Sequence, residues 1–416
     1  MRNRFIKAGL AALVACGVAA TPAFAQLGLP QVGQTVGDTV DRTLGTVGQV
    51  LDPVERDVDA IGRIVRALAQ RRLARLDRLV RRNRDRIERD AAGDPARKGE
   101  LLLVDPSPEM VARARAAGFA PAGEDRLDEL GLVVTRLAVP RGMDLAQGEK
   151  ALARLLPDAT ISADTLNFQS GVRPGARGTA RLSASTRTIK TPVGMIDGAP
   201  GATIRVAATR GFARGAPVPS NHGSAVASLL ASAGVRTIYA ADVYGTDPAG
   251  GNALAIARGI NWLLGRDARV ISISLVGPRN ALLARAVKAA QSKGAVIVAA
   301  VGNDGPAAPP SYPASYPGVL AITAVDGHDR ALIEAGRALH LDYAAPGADM
   351  LAADARGRWR GVRGTSYATP LAAARAAAAL DGHDAARPVL DREARHLSPA
   401  SAYGRGLLCG TCRRAR

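Results

Sequence analysis

The chain has 416 residues, enough for two or three domains, and 47% of them are hydrophobic, which allows a large buried core. The net charge of +18 is typical of proteins that contact nucleic acid or an acidic surface. Only 3% of the residues are aromatic, too few to supply stacking platforms for bases, so no specific nucleic-acid partner is predicted. After the first 25 residues, no segment is apolar over the length that a membrane-spanning helix needs.

Residues 1–25 have the pattern of a secretory signal peptide. Basic residues precede an apolar run at 8–20 that is too short to span a bilayer, and AFA at 23–25 is a small-x-small cleavage site. We predict cleavage after Ala25 and export to the periplasm or the extracellular space. The alternative is LVAC at 13–16, which resembles a lipobox, although the apolar run continues beyond its cysteine.

Residues 26–98 are predicted to be a flexible leader followed by a basic amphipathic helix. From residue 61 to about residue 89, apolar residues recur at helical spacing on one broad face, with a dense run of arginines between them. One interpretation is that residues 61–92 bind an anionic membrane surface or a polyanion. The other is a solvated helix that packs one apolar stripe on its neighbour, and the sequence leaves both open.

Residues 99–169 are predicted to form a compact α+β unit. Strands and helices alternate in the order β-α-β-β-α-β, which is ferredoxin-like. The predicted strands are 100–104, 130–139 with a weaker strand before it, and 160–168; the predicted helices are 108–117 and 145–156. An unrelated small α/β module is the alternative.

A Gly-, Pro- and Ser-containing stretch at 170–190 is predicted to be an exposed linker to a final domain at 191–408. In that domain strands and helices alternate, which predicts an α/β fold with a three-layer, doubly wound parallel sheet. The predicted strands are 193–196, 204–208, 237–243, 270–275, 295–300 and 319–324. Residues 409–416 form a basic tail in which Cys409 and Cys412 suit a tight disulfide, with a redox or metal role as the alternative.

Four motifs of the final domain carry reactive side chains. GTSYATP at 364–370 puts Ser366 at the start of a predicted helix, where free backbone N–H groups favour negative charge. His222 begins another helix, and Asp197 and Asn303 each follow an apolar strand. Because strand ends and helix starts of a parallel sheet meet along its carboxyl edge, these side chains are expected to converge. Each of these residues, taken alone, is more often a helix cap, a core residue or a turn residue. Taken together, they supply a nucleophile, a base, an acid and a hydrogen-bond donor.

These motifs and their order, Asp then His then Ser, resemble those of the subtilases, the subtilisin-like serine peptidases. The resemblance implies a catalytic triad of Asp197, His222 and Ser366, with Asn303 as oxyanion donor. It further implies that the 99–169 unit is an inhibitory propeptide, so that the protein would be made as a zymogen. The partners expected on this basis are a peptide or protein substrate and the chain's own propeptide.

The resemblance also assigns one wall of the substrate cleft to Ser274, Leu275, Val276 and Gly277, where an extended peptide would pair as an added strand. Four positions depart from the usual family motifs without removing a reactive group, and they concern pocket shape: Ser224, Val301, Tyr367 and Leu371. No cofactor is predicted, and calcium stays open because subtilase calcium sites use scattered oxygens.

Two other classes of function remain open at this point. One is a catalytically inactive subtilase-like protein that only binds peptides, which a missing triad residue would favour. The other is a polyanion- or membrane-surface-binding protein that acts through its basic helix, which a salt titration of residues 61–92 would separate from an enzyme.

Overall fold

The computed structural model describes residues 55–170, 180–181 and 188–413. The predicted signal peptide, the leader as far as residue 54, and most of the predicted linker lie outside these ranges. Within them, none of the helices combines the length and the apolar character needed to cross a bilayer.

The first element is a helix, α1, at Glu55–Arg82. The prediction that it runs to about residue 89 is wrong. The Asn83 side chain donates to the Leu79 carbonyl at 2.9 Å, and the backbone then turns, with the Ile87 amide bonded to the Asn83 carbonyl at 2.8 Å. The chain continues as a strand, β1, at Ile87–Arg89.

The small α+β unit has the predicted element order. Its strands form an antiparallel sheet in which β2 lies between β5 on one side and β1 and β4 on the other, with β3 at the edge beyond β4. The unit begins with β1, before the predicted boundary at residue 99, because β1 pairs with the first residues of β2. The further elements are β2 (Pro95–Val104), α2 (Pro108–Ala116), β3 (Ala120–Leu127), β4 (Leu132–Ala138), α3 (Leu145–Leu155) and β5 (Thr160–Thr165).

Two short strands connect this unit to the rest of the chain. They are β6 at Phe168–Gln169 and β7 at Ala180–Arg181. The predicted last strand of the unit, 160–168, is therefore interrupted. Its end pairs elsewhere, because β6 leaves the small sheet and joins the larger domain.

The larger domain is built on a seven-stranded sheet in the order β15-β14-β13-β11-β8-β10-β9, and every pairing is parallel. Parallel pairing throughout agrees with the predicted doubly wound sheet. Its strands are β8 (Val193–Asp197), β9 (Ala208–Gly211), β10 (Ile238–Asp242), β11 (Val270–Ile273), β13 (Val296–Ala300), β14 (Leu320–Val325) and β15 (Tyr343–Pro346).

Helices cover both faces of this sheet, which confirms the three-layer prediction. One apolar core joins the sheet to α4 and α7, and a second joins the other face to α5, α6 and the small unit's sheet. The helices are α4 (Asn221–Ser232), α5 (Ala253–Leu264), α6 (Ala281–Ser292), α7 (Thr365–Asp381), α8 (Ala386–Glu393) and α9 (Ala400–Tyr403). The small unit therefore packs on α5 and α6.

Several predicted details of this domain are wrong. The strand expected at 204–208 is instead β9, and β15 was not predicted. Nor were β16 (Met350–Ala353) and β17 (Trp359–Val362), which form a separate small sheet with β7. The expected 409–416 tail is folded as far as it is described, because Cys409 is buried and forms a disulfide with Cys412.

Candidate active site

Asp197 ends β8 at the carboxyl edge of the sheet. All five residues of β8 are buried, and the Asp197 side chain has no exposed surface. A buried carboxylate requires partners, because burying an unpaired charge is unfavourable. Its Oδ1 accepts hydrogen bonds from the Gly198 amide at 2.7 Å and from the Gln169 side-chain amide at 2.9 Å. Its Oδ2 lies 2.8 Å from His222 Nδ1.

His222 is the second residue of α4, so the start of that helix determines where the imidazole lies. Ser220 caps the helix by accepting from the Gly223 amide at 2.9 Å. The helix also passes very close to the strand end, since a Cβ at Gly223 would lie 2.0 Å from the Gly198 carbonyl oxygen. Only glycine permits this approach, which brings the imidazole within hydrogen-bonding distance of Asp197.

Ser366 is the second residue of α7 and is fully buried. Its Oγ lies 2.9 Å from His222 Nε2, which completes a chain of two hydrogen bonds from Asp197 through His222 to Ser366. Gly364 precedes the helix at φ 140°, a conformation that favours glycine. The free amides of the first helical turn therefore lie beside the Ser366 hydroxyl.

Asn303 follows β13 after a two-residue step and faces the start of α7. Its Oδ1 accepts from the Thr365 amide at 3.0 Å, which fixes the orientation of the side-chain amide. The other half of that amide, Nδ2, is buried and has no hydrogen-bond partner. A buried N–H donor without an acceptor is unfavourable unless an acceptor arrives during function. Thr365 also links the start of α7 to the segment after β13. Its hydroxyl accepts from the Gly302 amide at 3.1 Å and donates to the Gly302 carbonyl at 3.2 Å.

Tyr367, one of the departures from the usual motifs, packs against the imidazole. Its ring centroid lies 5.3 Å from that of His222, with the planes tilted by 47°. Burial, and secondarily the charge of Asp197, raises the pKa of Tyr367 above its ordinary value. The phenol therefore stays neutral and serves as an apolar wall for His222.

Comparison with known proteins agrees with this geometry. The Subtilase family profile matches residues 214–404. Subtilisin from Bacillus pumilus is 33% identical over 208 residues, a match that covers 45% of this chain and 75% of that protein. The chain belongs to the subtilase family.

Other subtilases match over a smaller part of their length. Subtilisin E from Bacillus subtilis is also 33% identical over 208 residues, but the match covers 54% of it, so the chain spans about half the length of that relative. Among solved structures, fervidolysin from Fervidobacterium pennivorans aligns with a TM-score of 0.61 at 18% identity, covering 75% of this chain and 60% of that one. At such identity the likeness concerns the fold alone.

In this subtilase, the predicted cleft wall is already paired with a segment of the same chain. Leu275 and Val276 form β12, which pairs antiparallel with β6, placing Val276 opposite Phe168. The Ser170 amide then donates to the Ser274 carbonyl at 3.2 Å. Residues 168–170 thus lie along the 274–276 segment as an added strand, the manner in which an extended peptide binds a sheet edge.

The carbonyl oxygen of Ser170 lies on the same side of Gly364 as the Asn303 side-chain amide. A Cβ built on Gly364 would lie 3.1 Å from that oxygen and 2.8 Å from Asn303 Nδ2, so both atoms border the same small space. The resemblance implied that the chain after Phe168 enters the cleft, whereas the position of Ser170 beside Asn303 depends on the path of the chain after β5.

Ser274 has a second role that sequence reasoning missed. Its hydroxyl donates to the Ser366 carbonyl at 2.9 Å and is fully buried. The same residue therefore contacts both the added strand, through its carbonyl, and the first turn of α7, through its hydroxyl.

None of the described residues form a group of three or more His, Cys, Asp or Glu side chains arranged to hold a metal ion. The chemistry proposed below uses none.

Proposed function

We propose that the protein is a serine endopeptidase that acts through an acyl-enzyme. Ser366 Oγ attacks the peptide carbonyl while His222 Nε2 accepts its proton and later delivers it to the leaving amine. Asp197 holds the imidazole with Nδ1 as a donor and stabilises its positive form. The hydrogen-bond chain of 2.8 and 2.9 Å supports these roles.

The oxyanion formed in this attack requires donors that are already in place. The Asn303 Nδ2 and the Ser366 backbone amide are the proposed pair. The support for Asn303 is that its amide is oriented by Thr365 while its buried Nδ2 has no partner. This unsatisfied donor, beside a serine already bonded to a histidine, is the observation that carries the proposal.

A fluorophosphonate probe tests the assignment directly, because it reacts with an activated serine hydroxyl and not with an ordinary one. We expect one labelled peptide, containing Ser366. Ser366→Ala should abolish labelling, whereas Ser292→Ala, an exposed serine at the end of α6, should leave it unchanged. Labelling elsewhere, or persistence in Ser366→Ala, would overturn the proposal.

We also propose that the protein is a zymogen that cuts its own Ser170–Gly171 bond. Support comes from the pairing of residues 168–170 with the cleft wall and from the position of the Ser170 carbonyl beside Asn303. Tethering gives an effective concentration of about millimolar, so the cut should not depend on protein concentration. The freed segment, ending at Ser170, would then remain bound as a product-like inhibitor.

The N-terminal helix is proposed to belong to this inhibitory segment. Arg75 makes two hydrogen bonds of 3.0 and 2.9 Å with Asp304, the residue after Asn303. The Arg75 guanidinium also lies 5.9 Å from the centroid of the Phe168 ring. Val65 is buried against Ala307 of the larger domain. These contacts support a position of α1 over the cleft, beside the paired strand.

The same contacts bear on the basic surface of α1. Its apolar side packs on the peptidase domain, so any attraction to a membrane or a polyanion would be electrostatic and would weaken as salt rises. Exposed arginines remain for such a contact, among them Arg63, Arg66 and Arg78. We propose an anionic surface as a secondary partner, and export through the N-terminal signal segment as the route to it.

A further inference from the structure

Ser170 occupies the position of the residue that precedes the cut bond, so the space around its side chain bears on substrate choice. This inference rests on the proposed peptidase function. Ser170 lies two residues after Phe168, which pairs with Val276, so the side chains of Ser170 and Val276 share one face of the added strand. On that face Val276 borders Gly302, so the gap lies between β12 and the segment after β13. The width of that gap sets the largest side chain accepted before the cut bond.

The side chain of Val276 narrows this gap. A Cβ built on Gly302, on the opposite wall, would lie 3.3 and 3.6 Å from the two Cγ atoms of Val276. These are contact distances between carbon atoms, so the valine methyl groups already lie close to the Gly302 backbone. A flat aromatic ring needs a contact of about 3.5 Å on each face, hence about 7 Å between the walls.

Neighbouring bonds prevent the walls from separating easily. Gly277 and Tyr312 exchange backbone hydrogen bonds of 2.9 and 3.0 Å, which tie the end of the 274–277 wall to the opposite loop. Ser311 donates to the Val301 carbonyl at 2.7 Å, and its Oγ would lie 3.2 Å from a Cβ on Gly302. The pocket is therefore bordered on one side by the two methyl groups of Val276 and on another by the Ser311 hydroxyl, which its hydrogen bond keeps in position.

We propose that Val276 restricts this peptidase to substrates with a small residue, such as Ser, Ala or Gly, immediately before the cut bond. The chain's own segment agrees with this limit, because Ser170 has a small side chain and is only 4% exposed. The Ser170 hydroxyl also donates to the Ser274 carbonyl at 3.1 Å, a contact that a serine substrate could repeat. Val276 is thus a specificity-determining residue, outside the triad.

The test uses enzyme that was expressed as the full chain and has processed itself. Its substrates are chromogenic tetrapeptide anilides that differ only in the last residue: Ala, Ser, Leu or Phe. Wild type should prefer Ala and Ser to Phe by about 100-fold or more in kcat/KM, within the range expected for steric exclusion from a pocket. Val276→Gly should raise the Phe-to-Ala ratio at least about ten-fold. Val276→Ala should raise it less, and it serves if the glycine variant does not fold.

Val389→Ala, a partly buried valine on α8, is the matched control and should leave the ratio at the wild-type value. A wild-type enzyme that cleaves Phe and Ala substrates equally would overturn the inference while leaving the peptidase proposal intact. A Phe-to-Ala ratio of kcat/KM for Val276→Gly equal to that of wild type would also overturn the inference. Failure to cleave any substrate, together with absent fluorophosphonate labelling of Ser366, would overturn both.

Self-processing gives an independent readout in the same chain. Ser170→Phe should stop the cut after residue 170, and Val276→Gly in the same chain should restore it. Normal cutting of the Ser170→Phe single variant at that bond would contradict the inference.

Discussion

Replacing Asn303 by alanine removes the proposed oxyanion donor and should lower kcat with little change in KM. The Nδ2 atom is buried and unpartnered in the resting site, so its strongest hydrogen bond is expected only when the carbonyl becomes an oxyanion. Loss of one such donor lowers kcat by about 10²–10³, or about 2.7–4 kcal/mol, which is the effect measured when the corresponding side chain of a subtilisin is removed.

The same substitution also affects stability, and the structure separates the two effects. Asn303 Oδ1 accepts from the Thr365 amide at 3.0 Å, and leaving that buried amide without an acceptor costs about 1–3 kcal/mol. For a domain of this size, that corresponds to a Tm lower by about 2–12 °C. The variant should therefore be somewhat less stable but folded at 25 °C, where kinetics are measured.

The assay is steady-state hydrolysis of a peptide anilide by the processed enzyme, with Tm measured on the same preparation. Asn252→Ala is the matched control, because Asn252 is also buried and hydrogen-bonded through both halves of its amide within the larger domain, but it caps α5. It should lower Tm and leave kcat unchanged. A fall in kcat of less than ten-fold for Asn303→Ala, or an effect confined to KM, would refute the oxyanion role.

Three further predictions concern the site and the inhibitory segment. Gly223→Ala should lower kcat/KM about 100-fold, because its Cβ would lie 2.0 Å from the Gly198 carbonyl and must displace the helix that carries the base; an unchanged rate would contradict this. Arg75→Ala should increase the rate at which the cleaved segment is released by up to about five-fold, measured as activation in a stopped-flow assay. The reason is that the partly exposed ion pair of Arg75 with Asp304 contributes about 0.2–1 kcal/mol to binding. Equal release rates in the variant and the wild type would show that this ion pair does not hold the segment. Asp164 lies where the small unit contacts α5, and burial raises the pKa of its carboxyl group to about 7. Near neutral pH the carboxyl group is therefore more protonated while the segment is attached than after the segment is released. The affinity of the cleaved segment for the larger domain should therefore fall as pH rises from about 4 to 7 and stay constant above pH 7. Co-elution of the two parts in gel filtration measures this affinity, and Asp164→Asn should remove its pH dependence.

The reactive residues could be predicted from the sequence because each lies at or next to the end of an unambiguous strand or helix. Asp197 ends a continuous apolar strand and His222 begins an apolar helix, and the parallel sheet brings such ends together. The order of strands and helices in the small unit and the alternation of strands and helices in the larger domain followed from the same periodicities, although β15 to β17 were missed.

Other features depended on contacts between distant segments. Ile87 continues the helical spacing of α1, yet the Asn83 turn and pairing with β2 place it in a strand. The predicted 160–168 strand divides because Phe168 finds a partner in Val276, more than 100 residues later in the chain. The resemblance implied an extended segment along 274–277, but nothing local to either sequence fixes the register that pairs Phe168 with Val276 and brings Ser170 opposite Ser274.

Self-cleavage by Ser366 can be tested by N-terminal sequencing and intact mass of the purified wild-type chain beside Ser366→Ala. The wild type should give a fragment that begins at Gly171, formed at a rate independent of protein concentration. Ser366→Ala should stay joined across the Ser170–Gly171 bond. Cleavage of that bond in pure Ser366→Ala, or an uncut wild type that nevertheless hydrolyses peptides, would contradict self-cleavage by Ser366.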